Sequence, residues 1–226
     1  MLGGLMMKGT GVVLDAEKDV GAVAPASLVD KSRFGTDGVC TNITWVQIPP
    51  FGLWVMDFNA ALPSYVVITA PQLNFTSGDF SVVMRVKVDT VAAVHYLLSR
   101  GWANVDGYMM YIHPNDKVYV YTYQAAATQA TNSAASVTST NEWYTIGFSR
   151  SGATILIYIN GIEDVDVAGV HIDPLTSART VKIGIADNLA GGPLDGKIGF
   201  LRIFNYALSA GQHLKMHEAN RRFFGV

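Results

Sequence analysis

Trp143-Tyr144-Thr145-Ile146-Gly147-Phe148-Ser149-Arg150, followed four residues later by Ile155-Leu156-Ile157-Tyr158-Ile159 and Asn160-Gly161, decides the fold. Both runs have strand length and are rich in β-branched and aromatic residues. Asn-Gly is a strong hairpin signal because both residues tolerate the positive φ of a type I′ turn. Ile162 to Val167 reads as the returning strand. Working outward, short apolar or alternating runs recur from residue 43 onward, broken by Gly, Asn, Asp and Pro roughly every 8–12 residues.

Phe80 to Val88 alternates Phe80, Val82, Met84, Val86 and Val88 against Ser81, Val83, Arg85 and Lys87. That pattern predicts one buried face and one largely wet face. Tyr108 to Ile112 and Val118 to Tyr123 flank His113-Pro114-Asn115-Asp116-Lys117, a run of preferred turn residues, and read as a second hairpin. Gln124 to Thr140 is uncharged and built of small residues; it reads as a long loop or as small-residue strands against a neighbour. A helix is expected from Ser209, where Ser209-Ala210-Gly211-Gln212 has the form of a capping box. No alternation of strands with long amphipathic helices is present, so the expected class is all-β: a two-sheet antiparallel sandwich with one short C-terminal helix.

Composition narrows the function. The 226 residues hold 16 Lys and Arg and 18 Asp and Glu, 15% charged, where an ordinary soluble domain has about 25%. With a net charge of −2 there is no basic footprint, so no nucleic-acid partner is expected. Apolar runs such as Tyr65 to Ile68 and Ile155 to Ile159 have strand length, well short of the ~18 residues of a membrane span. The single cysteine, Cys40, builds no disulfide framework. Met1 to Met7 lacks the preceding basic residue of a signal peptide, and Lys8, Asp15, Glu17, Lys18 and Asp19 interrupt the apolar stretch that one needs. Residues 1–28 are therefore expected to form an N-terminal arm or strand for assembly, ahead of one domain at 29–226.

Several of these stretches fall in the order of a known family. Asp30-Lys31-Ser32 with Gly35, Asp37 and Gly38 is similar to its opening loop; Phe80 to Lys87 to a characteristic strand, with Arg85 where an aromatic is common; and Leu194-Asp195-Gly196-Lys197-Ile198 through Phe204 to Ser209 to its closing strand and helix start. Together with Trp143 to Gly161, these make the chain resemble a laminin-G-like jelly roll of the concanavalin A-like lectin/glucanase superfamily. The resemblance implies the jelly-roll fold, and says little about activity, because such folds host many functions.

The resembling glucanases carry a Glu-x-Asp-x-(x)-Glu pattern, which none of Glu17, Glu142, Glu163 and Glu218 opens. Asp164 and Asp166 are the nearest approach to a carboxylate pair, and read as the solvated face of a hairpin. No Gly-x-Ser-x-Gly elbow is present, so no catalytic residue and no enzyme are expected. His213 and His217 have zinc-compatible i, i+4 spacing but lack the adjacent Glu of a metalloprotease and read as an exposed helix face. The resemblance raises a structural Ca²⁺, for which Asp37, Asp57, Asp187, Asn188 and Asp195 supply loop or strand-end oxygens. Gly199-Phe200 stands where relatives often carry an acidic pair, so no cofactor is expected, with calcium as the open alternative.

The remaining constellation is aromatic. Tyr119, Tyr121 and Tyr123 share one strand face, Tyr108 and Tyr111 lie on the partner strand, and Trp102 precedes it. These six are the candidate ligand- or partner-binding residues, since rings with a polar tip suit protein interfaces and sugars. The first expectation is a non-catalytic binding or structural module whose partners are other protein subunits, oligomeric, in a virion or extracellular surface assembly. A lectin-type carbohydrate-binding module is the alternative, and a glycan-cleaving enzyme the third.

Overall fold

The computed structural model describes residues 12–17, 26–124, 127–137, 139–140 and 142–225. Fifteen strands form two antiparallel sheets among them. The eight-stranded sheet holds β1 (Val12–Glu17), β3 (Thr44–Ile48), β4 (Leu53–Phe58), β6 (Phe80–Val88), β11 (Tyr144–Ser151), β12 (Thr154–Ile159), β13 (Ile162–Glu163) and β15 (Gly196–Phe204). Its order is β13-β12-β11-β6-β15-β4-β3, and β1 pairs with β15 beyond β4. The seven-stranded sheet runs β10 (Ala127–Ser136), β9 (Lys117–Gln124), β8 (Asp106–Ile112), β7 (His95–Trp102), β14 (Val181–Ile183), β5 (Tyr65–Ile68) and β2 (Val39–Thr41). One α-helix, α1 (Ala210–Arg221), follows the last strand. The architecture is the expected jelly-roll sandwich. Met1 to Met7 lies outside the described residues.

Local chemistry explains the hairpins. Asn160 and Gly161 both take positive φ, 52° and 79°, the backbone of a type I′ turn between β12 and β13. The Ser209 hydroxyl accepts from Gln212 N while the Gln212 side chain accepts from Ser209 N, so the capping box starts α1 as expected.

Two cores result. The first, between the sheets, includes Phe80, Val82, Met84, Val86, Ile146, Phe148, Ile155, Ile157, Val118, Val120 and Met110. The second joins the outer face of the eight-stranded sheet to α1 and the turn after it: Val55, Val83, Trp143, Phe200, Phe204, Leu208, Met216 and Phe224. It overturns the expectation of a wet outer face on Phe80–Val88. Ser81, Val83 and Arg85 are fully buried, because α1 and its following turn lie over them.

The exposed-face reading of His213 and His217 fails for the same reason. His213 is 1% exposed, stacks on Tyr158 at 3.8 Å between centroids, and places Nε2 2.8 Å from Ser149 Oγ. His217 Nδ1 meets Thr145 Oγ1 at 3.0 Å. A helix with little apolar character is thus fixed by polar side chains aimed into the sheet.

Gly199 provides the seat, since a Cβ there would lie 2.2 Å from the Phe224 ring. Gly199→Val is expected to push Phe224 out, losing about 2–3 kcal/mol of burial. For a chain of this length that lowers Tm by about 4–12 °C, measured by thermal denaturation; an unchanged Tm would reject the seat.

Two segments, one left between loop and strand by its sequence and the other expected to return whole, form one side of the sandwich. Most of Gln124 to Thr140 is β10, paired with β9, and Thr131 and Ser133 are fully buried. Ile162 to Val167 does not return as one long strand: after Ile162–Glu163 the chain crosses to the other sheet. There Asp166 N donates to Asn132 O and Asn132 N donates to Val167 O, covering the β10 edge. The neighbour of the small-residue segment is thus the chain itself.

Candidate functional site

Directly opposed residues of paired strands share a face. The register therefore draws a row across the outer face of the seven-stranded sheet: Tyr96 opposite Tyr111, Tyr111 opposite Tyr119, Tyr119 opposite Asn132, and Asn132 opposite Val167. Tyr121, two residues along from Tyr119, joins it beside Met109 and Ala130. The row crosses five chain segments, about 19 Å at ~4.8 Å per strand, and none of its members is charged. The one α-helix among the described residues packs on the other sheet.

The rings are ordered. Tyr96–Tyr111, Tyr111–Tyr119 and Tyr111–Tyr121 centroids are 5.2, 5.7 and 5.6 Å apart, with planes 21–26° from parallel. Tyr111 is thus flanked by three near-parallel rings, a slipped arrangement that aromatic pairs favour. The Tyr111 hydroxyl donates to the Tyr121 oxygen at 3.3 Å, and Asn115 Nδ2 donates to the Tyr119 oxygen at 3.3 Å. Burial, then the Tyr121 hydrogen bond, pushes the Tyr111 hydroxyl above its ordinary pKa, so the ring at the centre of the row is neutral at physiological pH. Tyr96, Tyr111, Tyr119 and Tyr121 are half-buried and Val167 is 57% exposed.

Of the six sequence candidates, Tyr111, Tyr119 and Tyr121 meet in this row. Tyr123 lies on the same face but is 3% exposed, its hydroxyl donating to Met109 Sδ. Tyr108 is a correction: an odd separation from Tyr111 turns it to the opposite face. There it is fully buried, packed on Phe75 and Phe80, and donates to Leu73 O at 2.7 Å. Trp102 stands apart at the tip of the β7–β8 hairpin. Sequence reading missed Tyr96 and Val167. Tyr96 precedes a register shift that disturbs simple alternation, and Val167 lies in a segment with no regular period.

The other candidate chemistry is dispersed. Asp164 accepts from Ala134 N and Ala135 N, and Asp166 pairs with Lys117 at 2.7 Å; both brace the crossing segment and are no hairpin face. Asp57 meets Lys197, Asp187 meets Lys182 and Arg179, Asp37 accepts from Asp30 N, and Asn188 caps a turn. Among the described residues no three His, Cys, Asp or Glu side chains gather as a metal site would require.

Residues 63–212, about two thirds of the chain, match the family model described as the concanavalin A-like lectin/glucanases superfamily, laminin-G type. The chain belongs to this superfamily. No curated protein matches it. Among solved structures it is similar to the botulinum neurotoxin serotype D binding domain, at 15% identity and a TM-score of 0.68, covering 92% of this chain and 51% of that one. It is likewise similar to the type C neurotoxin that depends on interaction with two ganglioside molecules to enter cells, at 14% identity and TM-score 0.65, covering 92% and 51%. A third is the neurotoxin DC binding domain in complex with rat synaptotagmin II, at 13% identity and TM-score 0.65, with the same coverage. The superfamily member described here spans about half the length of these structures, and at such identities the likeness is one of fold.

Proposed function

We propose that this chain is a non-catalytic recognition module that joins protein subunits through its tyrosine row, as a decorating or structural subunit of a virus-like particle, an appendage or a surface assembly. The row itself carries the reading: an uncharged line of half-buried tyrosines ending on an exposed valine, on a sheet face that α1 leaves open. Aromatic enrichment with charge depletion is what distinguishes the centre of protein interfaces. The neurotoxin neighbours, one bound to synaptotagmin II and one dependent on gangliosides, are consistent with a fold used for recognition.

Sedimentation velocity across a concentration series tests the reading. The wild-type chain is expected to self-associate, and Tyr119→Ser with Tyr121→Ser to weaken that association at least tenfold while the fold is retained. A wild-type chain that stays monomeric up to high concentration would reject it.

A further inference from the structure

Beyond Tyr96 the row meets a loop, Asp187 to Gly192, which the main chain sets beside it like a sixth segment. Gly192 O accepts from Tyr96 N at 2.9 Å, and a Cβ on Gly192 would lie 2.7 Å from the Tyr96 ring, so only glycine lets the loop come this close. Ala186 N donates to Gly191 O at 3.1 Å, Leu189 N donates to Ala186 O at 3.0 Å, and Asn188 Oδ1 accepts from Ala190 N and Gly191 N. The turn is thus closed on itself. It is also fastened to the sheet. Tyr121 stands opposite Met109, Met109 opposite Ser99 and Ser99 opposite Lys182, which puts Lys182 on the face of the row. Lys182 Nζ then donates to Asp187 Oδ1 at 2.6 Å, and both side chains are nearly buried.

Leu189 sits in this turn with a φ of 59°. Of the six non-glycine residues at positive φ among those described, three are Asn and one is Asp, whose short polar side chains tolerate that region. A bulky leucine there is strained, and glycine would not be. Leu189 is also 41% exposed, so the single chain collects only part of the burial that its side chain can give. Strain kept at a braced, exposed, apolar position points to a use outside the fold of one chain.

A second copy of this chain fits that use. A two-fold contact sets one patch against its own image, so unpaired charge within it would meet like charge. Here the charges at both ends are matched within the chain: Lys117 with Asp166 at 2.7 Å next to Val167, and Asp187 with Lys182 and Arg179 at the loop. The loop extends the row to about 24 Å at ~4.8 Å per segment. That approaches the ~28 Å side of a square patch of roughly 800 Å², the area that a stable interface covers on each partner. We propose that Leu189 anchors the row, its strained turn carrying the side chain against the facing copy when two rows pair. The inference rests on the row being the subunit contact and adds the residue on which that contact turns.

Sedimentation velocity across a concentration series, with thermal denaturation, tests it on five proteins: wild type, Leu189→Gly, Leu189→Ala, Leu189→Met and the Tyr119→Ser/Tyr121→Ser variant, each checked for native circular dichroism. Leu189→Gly and Leu189→Ala should weaken self-association at least fivefold, and Leu189→Met should stay within twofold of wild type. Leu189→Gly should melt about 2–4 °C above Leu189→Ala, the reverse of the usual order, because only glycine relieves the left-handed backbone. Alanine melting above glycine would remove the strain and overturn the inference. Association kept within twofold in Leu189→Gly would also overturn it, and a weakened tyrosine variant in that case leaves the row reading standing alone. Loss in Leu189→Gly without loss in the tyrosine variant would instead sink the row and keep the anchor. A wild type that is monomeric throughout overturns both.

Discussion

Lowering the pH from 7 to 4.5 is expected to remove about 5 kcal/mol of folding free energy through two histidines, His171 and His213, at about 1.4 kcal/mol per pKa unit. Both are buried in the neutral form. Burial, then the nearby Arg150 charge, lowers His171 from 6.5 to about 4; burial alone lowers His213 to about 3. His171 sits between Thr122 Oγ1 at 2.8 Å and Thr131 Oγ1 at 2.9 Å, and His213 between Ser149 and the Tyr158 ring. None of these contacts offers a carboxylate to an imidazolium. The folded pKa values lie below the unfolded one, so the unfolded chain binds more protons in this window. The stabilisation is complete above about pH 6.5 and is lost as pH falls towards 4 and then 3. Urea unfolding at pH 7 and 4.5 should show the loss, and His171→Gln with His213→Gln should flatten the slope. A wild-type stability that is level across this range would contradict the burial of neutral imidazoles.

Arg150→Met is expected to destabilise the fold by about 3–5 kcal/mol, whereas Arg85→Met is expected to be neutral or stabilising by about 1–4 kcal/mol. Both arginines are almost fully buried, yet their partners differ. Arg150 donates to Gly78 O at 3.0 Å, to Thr76 O at 3.4 Å and to Asp173 Oδ1 at 2.6 Å, which pins two loops to β11. Removing it leaves two carbonyls without their donor, and the Asp173 link adds little because that carboxylate is 54% exposed. Arg85 donates to Thr145 Oγ1 at 2.6 Å and lies over Phe224, but its Nε and Nη2 are buried with no partner. Burial lowers its pKa to about 10, a sign of how poorly its charge is solvated. Chemical denaturation of the two variants at pH 7 checks the contrast. A large loss in Arg85→Met would show that the guanidinium is better satisfied in solution than its contacts indicate.

Elements whose cause is local were legible in the sequence. Asn160-Gly161 makes its turn because two adjacent residues tolerate positive φ, and Ser209 with Gln212 satisfies its own helix end. Strand alternation likewise named the inner face of β6 correctly. The shortage of charge was visible too, but its placement was not: Arg85, Arg100, Arg150, Arg202 and Lys182 are buried against only Asp30 and Asp187 among the described acids. Cations with long stems can be drawn under loops and reach carbonyls, as Arg100 does with Ala70 and Ser177.

The candidate site divides on the same line. Tyr119 and Tyr121 share a face by the two-residue repeat, which a sequence displays. Whether Tyr108 or Tyr111 joins them depends on the register of β8 against β9, and that register placed Tyr108 in the core. Tyr96 and Val167 enter only because β7 and the crossing segment come to lie on either side, opposite Tyr111 and Asn132, which are 15 and 35 positions away in the chain. Sequence by itself determined the strands, turns and superfamily, since those follow from backbone preference and periodicity within a few residues. Only the tertiary structure decided which faces are covered, because burial is a property of what packs opposite. It brought α1 over Arg85, left the tyrosine row open and braced Trp102 on Arg179.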